Sequence, residues 1–160
     1  MGNGSQHTIV FHVDDIMSSH VDKKVNDGFA KWLEQMYGQY SPVMIHTGKK
    51  HNYLRMVFNY SNEGEVKIDM TDYVKDMIES YPEKMKTTDT SLTLALNDLF
   101  EESKGKTLQR EQKEIFHKIV AKGLFLAKRA RPDILPTIAV LSTRVLKPTK
   151  SEWNKLRKLM

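Results

Sequence analysis

The chain has 160 residues, 39% of them hydrophobic and 28% charged, no cysteine, and a net charge of +5. That suits one domain or two small ones with enough apolar mass for a core, and it excludes disulfides, thiolate metal sites and cysteine catalysis. No run of about 18 apolar residues suggests a transmembrane helix, and the first residues lack the basic start and apolar stretch of a secretory signal.

The charge is uneven. Residues 1–80 hold 8 Lys and Arg against 11 Asp and Glu, a balance of −3, and residues 81–160 hold 17 against 9, a balance of +8. From Lys104 to Lys158 there are 15 basic residues against 4 acidic ones. An asymmetry of this kind points to a polyanionic partner for the C-terminal half, with a solvated basic face as the alternative.

Gln6 to Val13 reads as a β-branched strand that leads to the turn at Asp14-Asp15, with a second short strand over Ile16 to Ser19. Asp22 is placed to cap a helix of about 16 residues whose apolar face is Val25, Phe29, Trp32, Leu33 and Met36, and Gly38 ends it. Pro42 to His46 reads as a further strand and Gly48 to Asn52 as a basic turn. Tyr53 to Tyr60 and Glu65 to Met70 form the arms of a hairpin around Ser61-Asn62-Glu63-Gly64. Thr71 or Asp72 then caps a helix carrying Tyr73, Val74, Met77, Ile78 and Tyr81, and Pro82 stops it.

Glu83 to Thr107 is a polar connector, with Leu92 to Phe100 a short helix or docking segment inside it. The last third is helical. Arg110 to Arg129 carries Phe116, Ile119, Val120, Gly123, Leu124 and Ala127 on one face, and Arg131-Pro132 breaks it. Asp133 caps the next helix, with the stripe Ile134, Leu135, Ile138, Leu141 and Val145. Thr149 and Glu152 form a capping box for a third helix through Trp153, Leu156 and Met160. The division expected is 1–82, a connector over 83–107, and 108–160, in an α+β fold: an antiparallel sheet with packed helices, then a helical part.

Two features carry chemistry. Asp14 and Asp15 bring adjacent carboxylates to a strand tip, the kind of oxygen set a hard divalent cation such as Mg²⁺ takes, although Asp-Asp is also ordinary turn chemistry. Lys118, Lys122 and Arg129 recur at i, i+4 and i+11 on one stripe of a helix, suited to phosphate contacts that read no bases. The six histidines show no metal-ligand spacing. No P-loop, dinucleotide fingerprint or nucleophile elbow is present.

Several separated segments match one family in order. Thr8-Ile9-Val10-Phe11-His12-Val13-Asp14-Asp15 is followed by Trp32-Leu33 to Tyr37-Gly38, then by Tyr53-Leu54-Arg55-Met56. Gly64, Lys67-Ile68-Asp69-Met70 and Tyr73-Val74 come next. Phe116 to Leu124, Ala130-Arg131-Pro132-Asp133-Ile134, Leu141-Ser142-Thr143-Arg144 and Lys147-Pro148-Thr149 to Trp153 complete the match. Over roughly residues 7–160 the chain resembles the C-terminal half of a copia-type LTR-retrotransposon reverse transcriptase, with His12 where that family usually has Tyr. The resemblance implies a palm-like sheet followed by a thumb-like helical part. It implies Asp14 and Asp15 as catalytic Mg²⁺ ligands, Arg55 and Met56 at the primer end, and Lys118, Lys122, Arg129 and Arg131 along nucleic acid.

The partner implied is an RNA–DNA hybrid or DNA duplex primer–template, in an intracellular, cytoplasmic retrotransposon particle and away from membranes. A polymerase also needs fingers and a third palm carboxylate, which the few residues before Gln6 do not supply. The expectation is therefore a fragment that binds Mg²⁺ weakly and does not polymerise alone, its further partners being the missing N-terminal polymerase half or a second copy. The alternatives are a non-catalytic nucleic-acid-binding remnant and a self-associating structural module.

Overall fold

The computed structural model describes residues 4–83, 93, 98–101 and 105–160. The chain forms two compact units, Met1–Asp69 and Met70–Met160. The fold is α+β, with two small antiparallel sheets and five α-helices among the described residues. No helix among the described residues is long and apolar enough to cross a membrane.

In the first unit, β1 (Thr8–His12) and β2 (Asp15–Ser19) pair antiparallel, with His12 opposite Asp15. The two-residue loop Val13-Asp14 joins them, and Val13 takes a φ of 54°, a left-handed conformation that a β-branched side chain resists. Helix α1 (Lys23–Tyr37) starts where expected, since the Asp22 carboxylate accepts the Lys24 amide at 2.9 Å. Ser18 Oγ donates to Asn26 Oδ1 of α1 at 2.9 Å. Its single proton is thereby used, so the 2.8 Å bond from His7 to the same hydroxyl is donated by His7 Nε2. Phe29 meets His7 edge-on at 5.5 Å and stacks on Trp32 at 5.9 Å.

The apolar face of α1 was expected in a core, yet none of its side chains is fully buried. Pro42 to His46 forms no strand. The Val43 amide instead donates to the Glu34 carboxylate at 2.8 Å, which ties this stretch to the end of α1 rather than to a sheet.

The expected arm Tyr53 to Tyr60 is two strands. β3 (Lys50–Tyr53) turns through Leu54-Arg55 into β4 (Met56–Asn59), with Tyr53 opposite Met56. Leu54 and Arg55 have φ of 49° and 64°, the paired left-handed conformation of a tight hairpin turn usually written with Asn and Gly. Sequence patterning missed it because neither residue is a turn former. β5 (Lys67–Asp69) pairs with β4 across the Asn62–Gly64 turn as expected, with Gly64 at φ 75°.

The second unit holds nearly all of the buried core. α2 (Thr71–Glu79) is preceded by Met70, which offers no side-chain cap, so neither Thr71 nor Asp72 fills that role. α3 (Arg110–Ala127) buries Phe116, Ile119, Val120, Gly123, Leu126 and Ala127. After a 3-10 turn over Pro132–Ile134 comes α4 (Leu135–Ser142), which ends three residues short of Val145. α5 (Lys150–Leu159) begins at the predicted capping box, with the Glu152 carboxylate accepting from both the Thr149 backbone and its hydroxyl. Burial opposes the Glu152 charge, but the Thr149 hydrogen bonds prevail and hold its carboxyl below the usual range.

Gly123 is where α3 and α4 approach closely. A Cβ there would lie 2.5 Å from Ile138 Cδ1 and 3.1 Å from Cγ1. The small residue serves helix packing. Tyr81 stacks on Trp153 at 5.1 Å, and Trp153 Nε1 donates to Glu83 at 3.1 Å, which joins the segment after α2 to α5. Burial, with Glu83 nearby, raises the Tyr81 phenol above its ordinary pKa.

Most of the expected connector lies outside the described residues. Of its Leu92 to Phe100 portion only Thr93 and 98–100 are described. Leu99 is buried there, and the buried Lys155 ammonium donates to the Glu101 carbonyl at 3.3 Å.

Candidate nucleic-acid interface

The two regions singled out by sequence lie in different compact units, and each is described in its own frame. In the first unit, Asp14 occupies the tip of the β1–β2 loop and Asp15 the first rung of β2, opposite His12. Both carboxylates are exposed. The strand tip does present two acidic residues, but among the described residues they belong to no cluster of three or more His, Asp or Glu able to hold a metal. A pair of exposed carboxylates suits Mg²⁺ only where substrate phosphates complete the shell.

Arg55 is exposed at its hairpin tip. Met56, one residue on, is 7% exposed. The first position of β4 turns its side chain into the core, so of the two expected primer contacts only Arg55 reaches the surface.

In the second unit the basic residues divide by what already holds them. Lys122 is 18% exposed, and its ammonium pairs with Asp76 at 3.0 Å and donates to Ser80 Oγ at 2.9 Å. It bolts α3 to α2, and its donors face α2 rather than solvent. Arg131 is bound bidentately by Asp133 at 2.7 and 2.9 Å. The Asp133 hydrogen bond raises the Arg131 pKa, and the same bond lowers that of Asp133. This pair closes the Arg-Pro-Asp break between α3 and α4, so Asp133 is a partner of Arg131 instead of the helix cap expected.

Lys118 is exposed on α3. An arc of the helix about 100° wide carries Arg110, Glu114, His117, Lys118, Ala121 and Lys128, all exposed. Arg110 pairs with Glu114 at 3.0 Å. Arg129 lies just beyond the helix, its guanidinium 3.6 Å above the centre of the Phe125 ring. The exposed basic residues are thus Lys118 and Lys128, with Arg129 half-buried over Phe125 beside them and the Lys122 ammonium taken up by Asp76. Lys128 and Phe125 were missed by sequence reading, although the Phe125–Arg129 spacing of i, i+4 is the available signal.

No family model matches the chain. No solved structure matches it. It is similar to a putative transposon Ty5-1 protein of Saccharomyces cerevisiae, at 27% identity over 155 residues. This chain is related to a transposon protein. The matched stretch is 95% of this chain and 47% of the relative, so the chain spans about half the relative's length.

Proposed function

We propose that the chain is the palm and thumb half of a copia-type retrotransposon reverse transcriptase, that α3 holds its primer–template, and that the chain does not polymerise by itself. The observation that carries this reading is the set of basic side chains on α3 and just past its C-terminal end. Lys118, Lys128 and Arg129 have no carboxylate partner among the described residues, in a chain similar over 95% of its length to a transposon protein. Lys118 and Lys128 are separated by about 15 Å of helix rise, roughly four nucleotides of backbone at about 3.4 Å each. Contacts of this kind position a duplex without reading it, as an enzyme that copies any sequence requires.

Asp14 and Asp15 would hold Mg²⁺ jointly with substrate phosphates, Asp14 directly and Asp15 more weakly, and the ion would supply charge stabilisation for phosphoryl transfer. The duplex is an RNA–DNA hybrid or DNA, the setting an intracellular retrotransposon particle, and the remaining polymerase half the protein partner.

The test is binding of a labelled RNA–DNA hybrid across salt concentrations, with and without Mg²⁺. Three phosphate contacts give a slope of log affinity against log salt near −2.7, at about 0.9 per contact. Lys118→Ala and Lys128→Ala should each flatten the slope by about that increment. Absence of binding at low salt overturns the reading. Primer extension by the purified chain, lost in Asp14→Ala, overturns its inactivity. A self-associating module is the second reading, favoured by the apolar face of α1, of which no residue is buried; a stable oligomer without nucleic-acid affinity would establish it.

A further inference from the structure

We propose that Phe125 and Arg129 form a single anion-binding position on α3, in which the Phe125 ring holds the Arg129 guanidinium ready for a backbone phosphate of nucleic acid. This deepens the reading of the same helix face as a nucleic-acid contact and rests on it.

The position is built in layers. The Tyr73 ring of α2 lies 5.2 Å from that of Phe125, tilted by 31°. The Tyr73 hydroxyl donates to the Lys122 carbonyl at 3.2 Å, which anchors that ring to α3. Arg129 lies over Phe125 at 3.6 Å and donates one N–H from Nη1 to the Phe125 carbonyl at 3.3 Å. The Arg129 and Ala130 amides both return to the Leu126 carbonyl, at 3.1 and 2.9 Å, so the backbone under the guanidinium is fixed as well. The ring is covered by the cation, and the group left to meet a ligand is the guanidinium.

How the arginines are held separates this one from its neighbours. Arg110, Arg131 and Arg157 each face a carboxylate: Glu114 at 3.0 Å, Asp133 at 2.7 Å and Glu83 at 3.3 Å. Their charge is locally balanced. Arg129 is oriented by a neutral ring and a carbonyl, so it is held in place with no carboxylate partner among the described residues. A planar guanidinium uses one of five donors on the Phe125 carbonyl and keeps the rest in the fork that suits a phosphate. Holding that fork in advance removes the side-chain ordering cost that a mobile lysine incurs on binding. Phe125 is therefore a positioning residue that acts through Arg129.

The experiment is hybrid binding by the full chain carrying Phe125→Leu, Arg129→Ala, the two together, Phe125→Tyr and Arg129→Lys, with urea unfolding recorded for each. Arg129→Ala should weaken binding about tenfold and flatten the salt slope by about 0.9. Phe125→Leu should cost a few-fold alone and nothing further in the Arg129→Ala background. Phe125→Tyr should restore affinity. Arg129→Lys keeps the charge and should still bind more weakly than wild type.

Equal loss from Phe125→Leu with and without Arg129 would make the ring merely structural and overturn the inference. Full affinity in Arg129→Lys would also overturn it, and that variant decides the matter if Phe125→Leu fails to fold. Binding that responds to Lys118→Ala but not to Arg129→Ala refutes this position alone. A wild-type chain that does not bind refutes both this inference and the reading beneath it.

Discussion

Gly123→Ala is the substitution on which local and tertiary effects disagree in sign. In an isolated helix, alanine for glycine stabilises by about 1 kcal/mol. Here the new Cβ would sit 2.5 Å from Ile138 Cδ1, about 1 Å inside an ordinary carbon–carbon contact. Ile138 is 0% exposed, as are Phe116, Ile119 and Leu141, so its methyl has no solvent to move into. Forcing a methyl into such a core costs about 1–3 kcal/mol. Set against the propensity gain, the expected net loss is about 1 kcal/mol. Trp153 is 1% exposed in the second unit and Trp32 is 47% exposed in the first. Urea unfolding followed by fluorescence in a Trp32→Phe background therefore reports the second unit. Ile138→Val removes the offending methyl and alone costs about 1 kcal/mol; combined with Gly123→Ala it should cost almost nothing. A coupling of about 2 kcal/mol in that cycle supports the argument. If Gly123→Ala raises stability, or if the two changes simply add, the close approach does not govern this position.

Lys122→Met should lower stability by no more than about 1 kcal/mol, because its partner Asp76 is 48% exposed. It should leave hybrid affinity within about twofold of wild type, since α2 already holds its charge. A large loss of binding would return Lys122 to the interface. Replacing Leu54-Arg55 by Asn-Gly should stabilise the β3–β4 hairpin by about 1–2 kcal/mol, read as slower amide exchange at Tyr53 and Met56; faster exchange would refute the turn geometry. Thr149→Ala should cost about 1 kcal/mol at neutral pH. The Glu152 pKa is lowered in the fold from an ordinary 4.5. Its contribution is therefore complete above about pH 4.5 and lost as pH falls through the lower folded value. The gap between wild type and Thr149→Ala should shrink toward pH 3, and a gap that keeps its size would remove Glu152 from the account.

Signals that act within a few residues were legible in the sequence. The Asp22 cap, the Thr149–Glu152 capping box, the Gly64 turn and the starts of α1 and α5 stand where predicted, because a capped first turn or a positive-φ glycine needs no distant partner. The exposed Asp14-Asp15 tip was legible for the same reason.

What only the tertiary structure decided concerns partners. Strand patterning made Pro42 to His46 a strand, yet a strand needs a neighbour, and the Val43 amide went to Glu34 instead. Tyr53 to Tyr60 had the composition of one strand, and its pairing, not its residue types, put a turn at Leu54-Arg55. Helical spacing placed Lys122 on the same stripe as Lys118 and Arg129, but Asp76, 46 residues earlier in the chain, turned its charge inward. A periodic pattern tells which face a residue occupies. It does not tell which group from elsewhere in the chain arrives opposite that face, and here that arrival separates a structural cation from one left facing solvent.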